Sequence, residues 1–169
     1  VYHVAGELGT AETFDDPENA VDVNIKGTLR VLEAAAAVNV PVSYVTLGND
    51  WLNPYSITKN AASAFCRMYN EESWLPTQVV VTYNLYGPYQ KLGPVRKIVP
   101  EFMKSLILEG RVEVFGTGRQ VVDMVYARDF AEELLNCTAP GVLHIGTGDP
   151  STVLEVARLC ASALGLSQS

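Results

Sequence analysis

The sequence predicts an α/β fold, a parallel sheet carrying helices and followed by a smaller mixed α/β lobe. Two observations carry that expectation. Over residues 1–83, three apolar runs of strand length alternate with two amphipathic stretches of helix length, the pattern of strands laid parallel with helices on their faces. After Gly87-Pro88 the elements shorten and loop residues multiply, as they do in a second lobe. At 169 residues, 48% hydrophobic and 18% charged, the chain has apolar material for one core or two small ones.

The elements follow in order. The opening Val-Tyr-His-Val-Ala is a short β-branched and aromatic run, suited to a buried parallel strand that ends in the loop at Gly6. Asp16-Pro17-Glu18 starts a helix, with a capping carboxylate, a proline at the first helical position and an acid near the positive end. Val21, Ile25, Leu29, Leu32 and Ala36 then recur every three or four residues, which predicts one amphipathic helix over 16–39. Pro41 stops it. Residues 42–47 read as the next strand, 55–72 as a helix after the breaker Pro54, and 78–83 as a third strand. Beyond residue 87 we expect a helix over 99–109, strands at 112–115 and 121–126, a helix over 128–137 and a strand at 142–145. Thr152-Val-Leu-Glu155 is a capping box, so a last helix starts there and stops at Gly165. Gly146-Thr-Gly148 follows a strand and reads as a turn.

Composition narrows the function classes. A formal net charge of −7 disfavours surfaces that neutralise nucleic-acid phosphates or anionic lipid, since both need clustered Lys and Arg. No run of 18 apolar residues is present, and Val1–Gly9 shows no basic-then-apolar leader; the expectation is a cytoplasmic protein. Cys66, Cys137 and Cys160 are odd in number and far apart, which predicts reduced buried thiols and no metal knuckle.

One five-residue stretch carries chemistry. In Tyr55-Ser-Ile-Thr-Lys59 the phenol and the ammonium lie one turn apart on one helix face. A nearby cation favours phenolate and should lower the Tyr55 pKa towards neutrality. Such a phenol can take a proton from a sugar hydroxyl while a neighbouring cofactor takes the hydride, and can return it later. The spacing alone is weak, because Tyr-x-x-x-Lys arises by chance on many solvated helix faces.

Its surroundings are more specific. Leu52-Asn-Pro-Tyr-Ser-Ile-Thr-Lys-Asn-Ala-Ala resembles the active-site helix of extended short-chain dehydrogenases, the NAD-dependent epimerase/dehydratase family that acts on sugar nucleotides. VYHVAG resembles that family's fourth-strand signature, and Asn24-Ile-Lys-Gly-Thr-Leu-Arg-Val-Leu-Glu-Ala-Ala resembles the helix after it. Tyr83-Asn-Leu-Tyr-Gly-Pro-Tyr-Gln90, Gly116-Thr-Gly-Arg-Gln120 with Asp123-Met-Val-Tyr-Ala-Arg-Asp129, and His144-Ile-Gly-Thr-Gly resemble markers of its substrate lobe. The resemblance spans nearly the whole chain. It implies a Rossmann-like parallel sheet, with residues 1–87 the remainder of the dinucleotide-binding domain and 88–169 mainly the substrate-binding lobe. It implies NAD or NADP as cofactor, a nucleotide-sugar-like substrate and a homodimer built on the helices at 16–39 and 55–72. Tyr55 and Lys59 would then be catalytic and cofactor-binding. Ala5, Gly6 and Tyr83 would touch the cofactor, and Asn84 the substrate.

Several positions depart from the family. The glycine-rich phosphate loop of the first strand–helix turn is not in the sequence, so the 169 residues on their own are expected neither to hold a dinucleotide nor to be stable. Only Gly48-Asn-Asp-Trp51 stands where a Ser-rich strand end and a long loop are usual. Thr46 is the nearest hydroxyl, equivalent either to the catalytic one or to a cofactor-side one. Val122 replaces a frequent Arg, a phosphate-pairing fork, for which Arg119 could substitute. Tyr89 stands for a basic residue and His144 for Asn. Epimerase, dehydratase and reductase chemistry all remain open, as does a non-catalytic fragment serving as an interaction or structural module.

Overall fold

A computed structural model describes residues 1–166. Among them the chain forms two compact units, one of residues 1–82 with 131–145 and the other of 83–130 with 146 onward.

The first unit is built on a four-stranded sheet in the order β1-β2-β3-β7, with every neighbouring pair parallel. Its strands are β1 (Tyr2–His3), β2 (Val42–Leu47), β3 (Thr77–Thr82) and β7 (Gly141–Ile145). β2 and β3 are buried along most of their length, which is why they read as continuous apolar runs and not as alternating ones. Gln78, buried in β3, hands its amide protons to the carbonyls of Cys137 and Ala139, pinning the segment before β7.

The helix expected over 16–39 forms, with a widened turn inside it. Asp16 caps α1 (Pro17–Ala20), its Oδ1 accepting the Asn19 N–H at 3.0 Å. A π-helical stretch (Val21–Lys26) follows and then α2 (Gly27–Ala37), the Gly27 N–H reaching back five residues to the Asp22 carbonyl. Helix α3 (Pro54–Glu71) starts one residue before the expected Tyr55. Pro54 does not break it but is its first residue, where no N–H is needed, and Asn53 caps the turn by accepting the Ser56 N–H at 2.9 Å. Leu32 of α2, Ala62, Cys66 and Tyr69 of α3, and Val42, Tyr44, Leu75 and Val79 form the core of this unit. Each fully buried large side chain among them contributes about 1.5–3 kcal/mol. The thiols of Cys66, Cys137 and Cys160 are free, Cys66 and Cys160 buried and Cys137 half-buried.

The second unit holds β4 (Asn84–Tyr86), α4 (Ile98–Glu109), β5 (Val121–Val122), β6 (Met124–Tyr126) and the first residues of α5 (Ala127–Asn136). β8 (Ser151–Thr152) and α6 (Val153–Ala163) complete it. β4 pairs in parallel with β6, and β5 pairs antiparallel with β8. Phe102 and Leu106 of α4 pack against Val156, Ala157 and Cys160 of α6. The capping box forms as read, with the Glu155 N–H donating to Thr152 Oγ1 and the Thr152 N–H to Glu155 Oε2, and Gly165 is left-handed after the helix end.

Three strand expectations need correction. Residues 112–115 form no strand: Val112 and Val114 face the α4–α6 core and produce the alternation, but no second strand pairs with them among the described residues. The run at 121–126 is two strands, because Asp123 interrupts it and its halves pair with different partners. The third strand of the sheet ends at Thr82, one residue short of Tyr83, and a separate strand starts at Asn84.

Candidate functional site

In an open parallel sheet, ligands bind beyond the carboxyl ends of the strands. In the first unit those ends carry the Ala5–Gly6 loop after β1 and Thr46 near the end of β2, with α3 and its Tyr55 and Lys59 following the link after β2.

Lys59 is 5% exposed. Its Nζ donates to the Val45 carbonyl at 2.7 Å and lies 4.2 Å from the centre of the Tyr44 ring. Burial lowers its pKa from 10.5 to about 8, against a smaller opposing effect of the Cys66 thiol. The Cys66 thiol is itself pushed up to about 12, by burial first, with Lys59 opposing. His3, whose Nε2 lies 3.0 Å from Thr28 Oγ1, is lowered by burial and then by the Lys59 charge. Tyr44 is raised, chiefly by burial.

Tyr55 is half-buried in the first turn of α3, and burial raises its pKa. This corrects the expected lowering by Lys59. The two residues share a helix face, but the ammonium is committed to β2 and the Tyr44 ring.

Asn24 is a residue that sequence reasoning left without a role, and it binds this neighbourhood together. It sits in the π-helical stretch at 1% exposure. Its Oδ1 accepts the Glu7 N–H at 2.8 Å, while its Nδ2 donates to the Glu7 carbonyl and to Thr58 Oγ1. One side chain thus ties the loop after β1 to the turn of α3 that bears Lys59. A Cβ at Gly6 would come within 2.9 Å of Asn24 Oδ1 and 3.6 Å of Lys59 Nζ, so the loop packs closely there because it has no side chain. Little in the sequence signals it, since Asn24 lies beside the stripe of Val21, Ile25 and Leu29, on the face that Ala20, Thr28 and Leu32 bury.

Would these residues suit a nicotinamide dinucleotide? The donor set fits its nicotinamide half. The Thr46 hydroxyl is buried without a hydrogen-bond partner, a state that calls for an explanation in a native site. An ammonium has three N–H donors, and donation to Val45 leaves capacity for ribose hydroxyls. Ala5 is exposed beside the side-chain-free approach at Gly6.

In the second unit Asn84 is exposed, its backbone N–H donating to the Asp123 carbonyl at 3.0 Å and its Nδ2 standing 3.5 Å from the same oxygen. The Asp123 carboxylate takes both the N–H and the hydroxyl of Thr147 and the Gly148 N–H. Burial alone would raise its pKa, but these bonds outweigh it and hold the carboxyl below its ordinary value. The turn they secure lies on Tyr83, since a Cβ at Gly146 would come within 2.9 Å of that ring. Arg119 is exposed, with its N–H on Thr117 Oγ1. His144 and Tyr89 are exposed too, Tyr89 with a left-handed backbone at φ 68°. A cavity of about 390 Å³ is lined by Arg96, Phe102, Ser105, Phe115 and Gln120, among others. Among the described residues no helix is long and apolar enough to cross a membrane, and no group of His, Cys, Asp and Glu is arranged to hold a metal.

Known proteins resemble this chain in sequence and fold. UDP-glucose 4-epimerase from Thermotoga maritima, solved with UDP-glucose, superposes with a TM-score of 0.91 at 25% identity, covering 100% of this chain and 62% of that one. UDP-glucose 4-epimerase of Mycolicibacterium smegmatis is 25% identical over 98% of this chain and 60% of its own length. The dTDP-D-glucose 4,6-dehydratase of Bos taurus is 32% identical over 63% of this chain and 30% of its own length. The chain thus spans about 60% of the length of some of the relatives it matches and about 30% of others. The sequence profile of the NAD dependent epimerase/dehydratase family matches residues 1–50 and 45–138. With that match across most of its length and the parallel sheet to support it, the chain belongs to the NAD dependent epimerase/dehydratase family.

Proposed function

We propose that this chain is the catalytic and substrate-side part of an NAD(P)-dependent enzyme that epimerises or dehydrates a nucleotide-linked sugar. The observation that carries the reading is the buried Lys59 ammonium, one turn from Tyr55 and beside the close approach at Gly6. A bound nicotinamide supplies the hydride acceptor and a positively charged ring. Tyr55, as the phenolate, takes the proton of a sugar hydroxyl in one half-reaction and returns it in the other; burial raises its pKa, and the positive charge of a bound nicotinamide would oppose that and favour the phenolate. Lys59 holds ribose hydroxyls with its remaining donors, and Thr46 offers its unpartnered hydroxyl from β2. Ala5, Gly6 and Tyr83 complete the cofactor contacts.

The substrate side falls to the second unit. Asn84, held at Asp123, contacts the sugar nucleotide, and Arg119 supplies a cation where Val122 cannot. Residues 1–82 with 131–145 would then serve mainly the cofactor, and 83–130 with 146 onward mainly the substrate. The enzyme works as a homodimer through the helices α1–α2 and α3, whose Val21, Val23 and Ile57 are between 38% and 53% exposed.

The test is Tyr55→Phe in the whole protein, with UDP-glucose as substrate. Turnover should fall about a hundredfold or more while the dissociation constant for NAD stays unchanged; unchanged turnover sinks the assignment.

A further inference from the structure

Residues 48–53 carry the chain from β2 into α3, and none of them has a hydroxyl side chain. Asn49 is fixed within this link at three points. Its Oδ1 accepts the Ser56 hydroxyl at 2.9 Å and the Trp51 N–H at 3.3 Å, and its carbonyl accepts the Asn60 Nδ2 at 3.1 Å. Ser56 and Asn60 directly follow Tyr55 and Lys59, so Asn49 is tied alongside the turn that carries the proposed acid–base pair.

The bonds also settle which end of the amide is committed. A backbone N–H can only donate, so the atom facing Trp51 must be the oxygen. The two N–H donors on Nδ2 are therefore left for another partner. The neighbouring polar side chains offer less. Asn53 is 4% exposed and its oxygen serves as the cap of α3, whereas Asp50 when ionised only accepts. Asn49 is half-buried, with its Oδ1 and its carbonyl both fixed.

We propose that Asn49 is a substrate-binding residue whose Nδ2 donates to an oxygen of the sugar on which Tyr55 acts. Neutral donors suit a hydroxyl or carbonyl oxygen, and the bond strengthens as negative charge develops there. This rests on the reading of Tyr55 above, and its test is built to fail separately.

Asn49→Asp keeps an oxygen for Ser56 and Trp51 but removes both donors. Ser56→Ala does the reverse, cutting the tie and leaving the donors in place. Asn49→Ser retains one donor. Each is measured in the whole protein alongside Tyr55→Phe, with UDP-glucose as probe, recording kcat, KM, the NAD dissociation constant and the melting temperature. Asn49→Asp should lower kcat/KM about tenfold or more with NAD affinity and melting temperature kept. Asn49→Ser should lie between it and the wild type, and Ser56→Ala should change kcat/KM by less than about threefold. Wild-type kcat/KM in Asn49→Asp, or equal losses in Asn49→Asp and Ser56→Ala, overturns the role of Asn49 while a dead Tyr55→Phe leaves the parent reading standing. A fully active Tyr55→Phe, or a wild type that neither binds nor converts UDP-glucose, counts against both.

Discussion

Replacing Lys59 by Met takes a buried cation out of the first unit's core, and its effect should depend on pH in a calculable way. Lys59 is 5% exposed, and its pKa falls from an ordinary 10.5 to about 8 on folding. At roughly 1.4 kcal/mol per pKa unit, burial of the charge costs about 3 kcal/mol wherever both folded and unfolded chains hold the proton. That penalty is complete below pH 8. Between pH 8 and 10.5 the unfolded chain binds more protons than the folded one, so stability rises with pH, and above 10.5 the penalty is gone. The wild type should therefore gain about 2 kcal/mol on Lys59→Met between pH 7 and pH 9.5, other titrations cancelling in the difference. Urea unfolding of both proteins, followed by the fluorescence of Trp51 and Trp74, measures it. A gap between the two curves that does not change with pH would refute the assignment of a desolvated ammonium to Lys59.

Other consequences are simpler to read. Lys59→Met should also weaken NAD binding, seen by calorimetric titration, whereas Tyr55→Phe should not. Leu32→Ala empties a position with 0% exposure in the first unit's core, and urea unfolding should register a loss of about 2–5 kcal/mol. Thr152→Ala removes the capping-box hydroxyl of α6 and should cost about 1 kcal/mol, read as a lower thermal midpoint. Sedimentation at micromolar concentration should show a homodimer; a monomer would remove the proposed use of the α1–α2 and α3 faces.

Much of the fold was legible because its signals are local. Asp16-Pro17 marked a real cap, Thr152 to Glu155 a real capping box, and the apolar runs of β2 and β3 a parallel sheet buried on both faces. The tiny strands β4 and β8 were not legible, since two or three residues carry no periodicity and are defined by partners far along the chain. Residues 112–115 misled for the opposite reason: their alternation comes from packing on α4 and α6, without a ladder. At the site, Tyr55-x-x-x-Lys59 gave the shared helix face, but no spacing says where a flexible ammonium ends. Its commitment to Val45, which leaves Tyr55 raised instead of lowered, is a tertiary fact. The tie made by Asn24 likewise depends on the loop at Glu7 and the turn at Thr58 meeting in space.

Whether the Tyr55 phenol handles the proton of a sugar hydroxyl would be seen in a structure of the whole protein with NAD and UDP-glucose bound. Tyr55 Oη should lie within about 2.6–3.2 Å of a sugar hydroxyl, with Lys59 Nζ on the cofactor's ribose. A sugar whose oxygens all lie out of hydrogen-bond reach of Tyr55 Oη would contradict it.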